Sequence, residues 1–156
     1  MMFSELIISS GLDQKRAIRG LTEEEIEAVE NGQGVQLPAR YKAFLRECGR
    51  SAGLLCYDIH FFYPAIKRLK GMLQELIDEE NVDFKIPNDA FIFAGYQGSQ
   101  FHYFICGNDD PPTFRVFDNG VVEPGASSFT EYFHAAIGEY HRTFSSEFGK
   151  KLLEDW

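Results

Sequence analysis

The sequence lacks a long apolar run, because none of its hydrophobic segments approaches the roughly 20 residues that a membrane-spanning helix requires. The segment from Met1 to Gly11 contains Glu5 and has no basic residues ahead of its short apolar stretch. It therefore does not resemble a secretory signal, which combines a basic start with a longer apolar core. We expect a cytoplasmic protein without a membrane anchor.

Cysteine is also scarce, with three residues at Cys48, Cys56 and Cys106. An odd number at irregular spacing does not predict a disulfide framework, and apolar neighbours surround each one, so we interpret all three as reduced core residues. The chain has no C-x-x-C or H-E-x-x-H motif. The sequence thus predicts no catalytic residues, no cofactor site and no metal site.

Basic residues are fewer than acidic ones: the chain has 15 Lys and Arg and 24 Asp and Glu, which gives a net charge of −9. Proteins bind nucleic acids and anionic membrane surfaces through cationic contacts, so this balance argues against both as partners. It permits a basic protein as a partner, because proteins of opposite net charge attract each other electrostatically.

Aromatic residues are abundant by contrast, at 15% of the chain and including 15 Phe. With 44% hydrophobic residues, a chain of 156 residues can build one domain around one core. No internal repeat or linker interrupts the pattern. We predict an N-terminal extension over residues 1–20, in part helical, and a single domain over residues 21–156.

Two capping signals mark predicted helices near opposite ends of the domain. Thr22 and Glu25 have the spacing of a capping box, in which a side chain at each position satisfies the backbone N–H of the other. Ser128 and Glu131 have the same spacing. The second signal precedes an apolar stripe over residues 129–144, which predicts a long amphipathic helix packed on a core.

The region after the first helix alternates between two periodicities. Helical spacing predicts one helix from Pro38 to Gly49 and another that starts at Pro64 and buries apolar residues up to Ile77. Between them, apolar residues at every second position over residues 54–63 predict a strand.

Three further strands are predicted at residues 91–94, 101–106 and 114–118, and Asn119-Gly120 is a strong hairpin signal leading to a short return strand. Strands that follow one another through short turns pair antiparallel. The predicted fold class is therefore α+β, with a twisted, antiparallel-rich sheet packed against several helices.

Five segments carry a family resemblance in their order and spacing. They are Leu-Thr-Glu-Glu-Glu-Ile at 21–26, Leu-Pro-Ala-Arg-Tyr-Lys-Ala-Phe-Leu at 37–45, the central hairpin at 91–103, Phe-Arg-Val-Phe at 114–117 and Ser-Ser-Phe-Thr-Glu-Tyr-Phe at 127–133. Together they resemble the SUKH superfamily, which includes fungal regulators of cell-wall synthesis and bacterial immunity proteins that neutralise toxins. One departure is Ser99, which follows Gly98 where family members often carry an acidic residue.

The resemblance implies an α+β fold, binding to another protein and no enzymatic activity. It makes an immunity-type protein that neutralises a toxin by direct binding the leading hypothesis. A basic toxin domain would be attracted to acidic residues, so we predict that the partner binds the acidic side chains Glu75, Asp78, Glu79, Glu80, Asp83, Asp109 and Asp110.

Two other functions compete with this hypothesis. A small enzyme would need Asp109, Asp110 and His102 to converge in one pocket near residues 107–118. A small-molecule binding module would use the aromatic-rich sheet as the wall of a pocket. The residues alone leave both alternatives open.

Overall fold

The computed structural model describes residues 2–154, and within them an antiparallel sheet is surrounded by helices. The ends of the two predicted ranges, residue 1 and residues 155–156, lie outside the described residues. The α-helices are α1 (Phe3–Ser9), α2 (Glu23–Gln33), α3 (Ala39–Cys48), α4 (Leu69–Glu80), α5 (Phe129–Ser145) and α6 (Glu147–Glu154). A 3₁₀ turn at Ala65–Lys67 precedes α4.

The strands form two sheets. The strands are β1 (Ile18–Arg19), β2 (Ser51–Ala52), β3 (Ala90–Tyr96), β4 (Gln100–Ile105), β5 (Thr113–Phe117) and β6 (Val122–Pro124). β1 pairs with β2, and the main sheet has the order β3-β4-β5-β6 with every neighbouring pair antiparallel. The predicted α+β class, the single domain and the antiparallel sheet are confirmed.

The two faces of the main sheet pack against different helices, because successive side chains of a strand point to opposite faces. On one face, Phe93 contacts Phe129 of α5 with ring centroids 5.6 Å apart, and Tyr41 of α3 lies 5.1 Å from Phe91. The opposite face carries Phe101, and α4 packs there through Leu69. The sheet is therefore the middle layer between α3 and α5 on one side and α4 on the other.

The first capping signal behaves as predicted. Thr22 Oγ1 accepts from the Glu25 N–H at 3.2 Å, and the Thr22 N–H donates to Glu25 Oε1 at 3.0 Å. The second signal is confirmed in part. Ser128 Oγ accepts from the Glu131 N–H at 3.0 Å, but among the described residues the Glu131 carboxylate accepts no hydrogen bond from the Ser128 N–H.

The strand predicted over residues 54–63 is wrong. The segment is mostly a succession of turns, with two isolated bridges: Leu54 to Ala52 of β2 and His60 to Gly95 of the main sheet. Two left-handed residues explain the difference: Gly53 has φ 63° and Cys56 has φ 52°. Left-handed residues reverse the chain direction, so the apolar side chains reach the core from a coiled segment, which periodicity alone does not distinguish from a strand.

The N-terminal segment is part of the core. Helix α1 buries Phe3 and Ile7 completely, and the Phe3 ring lies 5.6 Å from Phe44 and 4.8 Å from Phe133. Residues 1–20 were predicted as an extension to the domain, and a boundary at residue 20 stays a prediction. The helical part of that segment nevertheless fills space between α3 and α5.

A buried glutamine connects elements that are distant in sequence. Gln33, which is 5% exposed, donates through Nε2 to the carbonyls of Ile66 and Ile92, and its Oε1 accepts from the Ile92 N–H at 2.8 Å. The side chain thereby satisfies backbone groups on the 3₁₀ turn and on β3 that would otherwise be buried without partners. It ties α2 to the sheet.

Candidate functional site

Five of the predicted partner-binding residues lie in the last turns of α4 or just beyond it, a segment that we call the acidic end of α4. It consists of Glu75, Asp78, Glu79, Glu80 and Asp83, all exposed. No salt bridge within residues 2–154 involves any of these carboxylates. Carboxylates in the last turns of a helix face the negative end of its dipole, so they do not stabilise α4. Their charge is left available for an external partner.

The other two predicted residues lie elsewhere and have different surroundings. The Asp110 carboxylate accepts from the Thr130 N–H at 3.0 Å and from Thr130 Oγ1 at 2.6 Å, so it holds the start of α5. The backbone carbonyl of Asp109 accepts from the Arg40 N–H at the start of α3, while the residue itself is exposed. Asp110 thus has a structural role that the sequence did not reveal.

A cavity of about 480 Å³ opens between the main sheet and α5. We call it the sheet–helix cavity. Residues spaced three or four apart along α5 share one helix face and form one wall, and β4, β5 and the segment after β6 form the other. Its lining includes Cys56, Tyr96, Gln100, His102, Thr113, Arg115, Gly125, Ala126, Tyr132, Ala135, Ala136, Glu139 and Tyr140.

Small residues line part of the opening: Ala135 and Ala136 on α5, and Gly125 and Ala126 beyond β6. The opening is a groove in the surface, because Gly125, Ala135 and Glu139 of its lining are exposed.

A hydrogen-bonded network runs along the floor of the cavity. His102, 8% exposed, has Nδ1 2.7 Å from the Tyr132 hydroxyl and Nε2 3.0 Å from Gln100 Oε1. An amide oxygen only accepts, so Nε2 carries the proton and the Tyr132 hydroxyl donates to Nδ1. Tyr96 lies beyond, with its hydroxyl 3.5 Å from that of Tyr132.

His102 is neutral in this setting. Burial lowers its pKa to about 4 from the ordinary 6.5, and the charge of Arg115, its partner across β4 and β5, lowers it further. Burial raises the pKa of Tyr96 to about 12. The floor of the cavity is therefore uncharged at neutral pH, although it is made of polar groups.

The pKa of His102 predicts acid destabilisation. Between pH 6.5 and about 4 the unfolded chain binds a proton that the folded chain does not, so the free energy of unfolding falls as the pH falls through this window. The full difference corresponds to about 3 kcal/mol. We expect H102Q to lose this component, as measured by urea unfolding at a series of pH values. H60Q, at an exposed histidine, is the control and should follow the wild type; equal slopes for H102Q and wild type would contradict the assignment.

The charges at the rim of the cavity are unevenly balanced. Arg115 forms a salt bridge with Glu123, with its Nη2 2.9 Å from Glu123 Oε2, so this pair is close to neutral. Glu139 on α5 is exposed and forms no salt bridge with a described residue. Asp58 is also without a salt bridge, and its Oδ1 accepts from the Tyr140 hydroxyl at 2.5 Å.

Two smaller cavities continue from this rim. One of about 110 Å³ shares Glu139 and Tyr140 with the sheet–helix cavity, and it also includes Asp58. The other, of about 350 Å³, lies between Asp58 and Tyr96. Ser99, the position of the family's frequent acid, lines the latter cavity and donates through Oγ to the Tyr96 carbonyl at 2.8 Å. Here Ser99 holds the hairpin turn and brings no charge.

The structure does not bring together the three residues of the enzyme hypothesis. His102 lies in the sheet–helix cavity, Asp109 lines a separate cavity beside the start of α3, and the Asp110 carboxylate is bonded to Thr130. Burial raises the pKa of Cys48 to about 12 and that of Cys106 to about 11. These thiols stay protonated at neutral pH, which makes them poor nucleophiles.

The residues that the structure describes include no candidate metal site and no helix that could span a membrane. Across residues 2–154, no group of three His, Cys, Asp or Glu side chains is placed to hold a metal ion. None of the helices in that range has the length and apolar character needed to cross a bilayer.

A comparison with protein families identified one match, to residues 20–135, described as the SMI1 / KNR4 family (SUKH-1). The matched region begins after α1, includes the whole main sheet and ends within α5. A search of curated proteins returned no match.

Proposed function

The chain belongs to the SMI1 / KNR4 (SUKH-1) family, and on this premise we propose that it is a non-enzymatic domain that neutralises a toxin by direct binding in the cytoplasm. The observation that carries the proposal is the family match, which covers the main sheet and the helices on both of its faces. Membership is consistent with an immunity-type or regulatory protein. The charge distribution favours a basic partner.

The acidic end of α4 is the surface we assign first to this partner. Its five carboxylates are exposed and lack salt bridges with the described residues, and the whole chain carries a net charge of −9. Many toxins that act on nucleic acids present a basic surface to the phosphates. A carboxylate-rich surface is attracted to such a region, speeds its encounter and then blocks its substrate.

Asp109 remains a secondary candidate for the interface. It is exposed, and only its backbone carbonyl has a described hydrogen bond. Asp110 belongs to the same prediction, but its carboxylate already accepts two hydrogen bonds from Thr130. A partner would therefore contact Asp110 only at the edge of the interface.

The proposal predicts salt-dependent association. The immobilised chain would first capture its partner from a lysate of the source organism, and binding rates would then be measured with the purified pair. We expect neutralisation of the acidic end of α4 to slow association at least about tenfold at low salt and to flatten its salt dependence. The variant carries E75Q, D78N, E79Q, E80Q and D83N.

The matched control removes the same number of negative charges elsewhere. It carries five substitutions of exposed glutamates by glutamine: E5Q, E24Q, E27Q, E131Q and E147Q. Equal slowing in both variants would show that net charge alone acts and that α4 is not the interface. A captured toxin that stays fully active in the presence of the wild-type chain would refute neutralisation itself.

A further inference from the structure

The sheet–helix cavity has the size of a ligand site. Pockets that bind small molecules or inserted side chains typically enclose about 300–1,000 Å³ and combine apolar walls with a few converging polar groups. At about 480 Å³, lined by tyrosines, alanines and the network of His102, this cavity fits that description. Polar groups with strongly shifted pKa values in a concavity are typical of functional sites.

The charges around the cavity select the sign of the ligand. Arg115 is offset by Glu123, and His102 is uncharged. Asp58 and Glu139 form no salt bridge with a described residue. Glu139 in the lining and Asp58 in the adjoining cavities therefore contribute two carboxylates without a salt bridge, both at the end where α5 meets the turns of residues 53–59.

The same end of the cavity is aromatic. Tyr96 and Tyr140 line it, and the Tyr140 hydroxyl donates to Asp58 Oδ1, which holds this carboxylate in place. The face of a tyrosine ring attracts a cation, and this attraction adds to that of a nearby carboxylate. Asp58 and Glu139 line a small adjoining cavity together with Tyr140, and carboxylates beside a tyrosine ring suit a planar guanidinium or an ammonium group.

We propose that the sheet–helix cavity binds an organic cation, a guanidinium or ammonium group carried on an aliphatic chain. The cation lies between Asp58 and Glu139 against Tyr96 and Tyr140, and its aliphatic chain runs along Ala135 and Ala136. This site is distinct from the acidic end of α4, because α4 packs on the opposite face of the sheet. It does not depend on the proposed toxin.

The test uses nuclear magnetic resonance of the full-length, ¹⁵N-labelled chain at constant ionic strength. One probe is Nα-acetyl-arginine methylamide, which mimics a side chain within a protein, and another is agmatine, which has the same guanidinium without a backbone. The neutral control probe is Nα-acetyl-citrulline methylamide, which replaces guanidinium by urea. We expect saturable shifts of the amides of Tyr96, Gln100 and Glu139 with the cationic probes only.

Matched variants locate the site. The D58N/E139Q variant keeps the shapes of both side chains and removes their charges. An asparagine at position 58 can still accept the hydrogen bond from Tyr140, so we expect normal folding. We expect the cationic probes to bind about tenfold more weakly. E24Q/E27Q removes two negative charges from the exposed side of α2 and should bind as the wild type does. Thermal melting of all variants checks the fold.

Each result of these titrations either supports or overturns the proposed site. Tighter binding of the arginine derivative than of agmatine identifies the ligand as a side chain of a protein, and the reverse order identifies a free amine; either result supports the site. Equal binding of the citrulline probe, wild-type affinity in D58N/E139Q, or no saturable binding of either cation overturns it. Because no toxin is used, failure here leaves the proposed neutralising function untouched.

Discussion

Replacing Phe129 with alanine is expected to lower the free energy of unfolding by about 3–5 kcal/mol. Phe129 begins α5 and is completely buried. Its ring lies 5.0 Å from Tyr41, 5.5 Å from Phe44 and 5.6 Å from Phe93, so it touches α3 and β3 at once. Truncation removes buried apolar area and leaves a cavity that the rigid neighbours on α3 and β3 cannot close.

Chemical unfolding followed by circular dichroism measures this loss. F148A is the matched control, because it makes the same chemical change at a residue that is 72% exposed on α6. Exposed truncations usually change stability by no more than about 0.5 kcal/mol. Similar losses in F129A and F148A would mean that the aromatic core is not centred on α5.

A double truncation in α1, F3A/I7A, is expected to lower the free energy of unfolding by about 5 kcal/mol or more. Both side chains are completely buried, and the Phe3 ring packs edge-on against Phe133 at 4.8 Å. A loss of this size approaches the whole stability of a typical domain, about 5–15 kcal/mol. We therefore expect a largely unfolded protein at moderate temperature.

The matching control is M2A/I8A, at the residue that precedes α1 and at an exposed position of the same helix, where the side chains are 49% and 55% exposed. Thermal unfolding compares the two variants. The result bears on the limits of the domain, since α1 precedes the region matched by the family. Wild-type stability in F3A/I7A would show that α1 is a dispensable attachment.

Local signals in the sequence were sufficient for much of the fold. The capping pair Thr22 and Glu25, the helix start at Pro38 and the turn at Asn119-Gly120 each encode structure within a few residues. The strands of the main sheet follow from apolar runs separated by turns, and their antiparallel pairing follows from short connections. These features depend little on distant parts of the chain.

Features that depend on distant contacts could not be predicted. Gln33 is bonded to Ile92, 59 positions later, and nothing in the local sequence marks it as buried. The turns at Gly53 and Cys56 depend on left-handed backbone conformations, and the alternating apolar residues there imitate a strand. Periodicity reports which side chains are buried, but not the path of the backbone.

The two candidate sites also differ in how far the sequence alone predicts them. The acidic end of α4 was visible as a run of carboxylates, and the structure shows it exposed. The sheet–helix cavity was not visible, because it depends on the register that places His102 beside Arg115 and on α5 lying across β4. Asp110 was assigned to the partner surface from its charge, whereas its hydrogen bonds with Thr130 emerge only from the fold.

The loop between β4 and β5 has a consequence for engineering the chain. Surface loops usually tolerate insertions, and this one contains exposed glycine and asparagine at Gly107 and Asn108. It nevertheless fastens the first turns of two helices, through the Asp109 carbonyl to α3 and the Asp110 carboxylate to α5. An epitope tag or fused domain placed there would break the hydrogen bonds that the loop makes to both helix starts, although the exposure of the loop suggests a convenient attachment point.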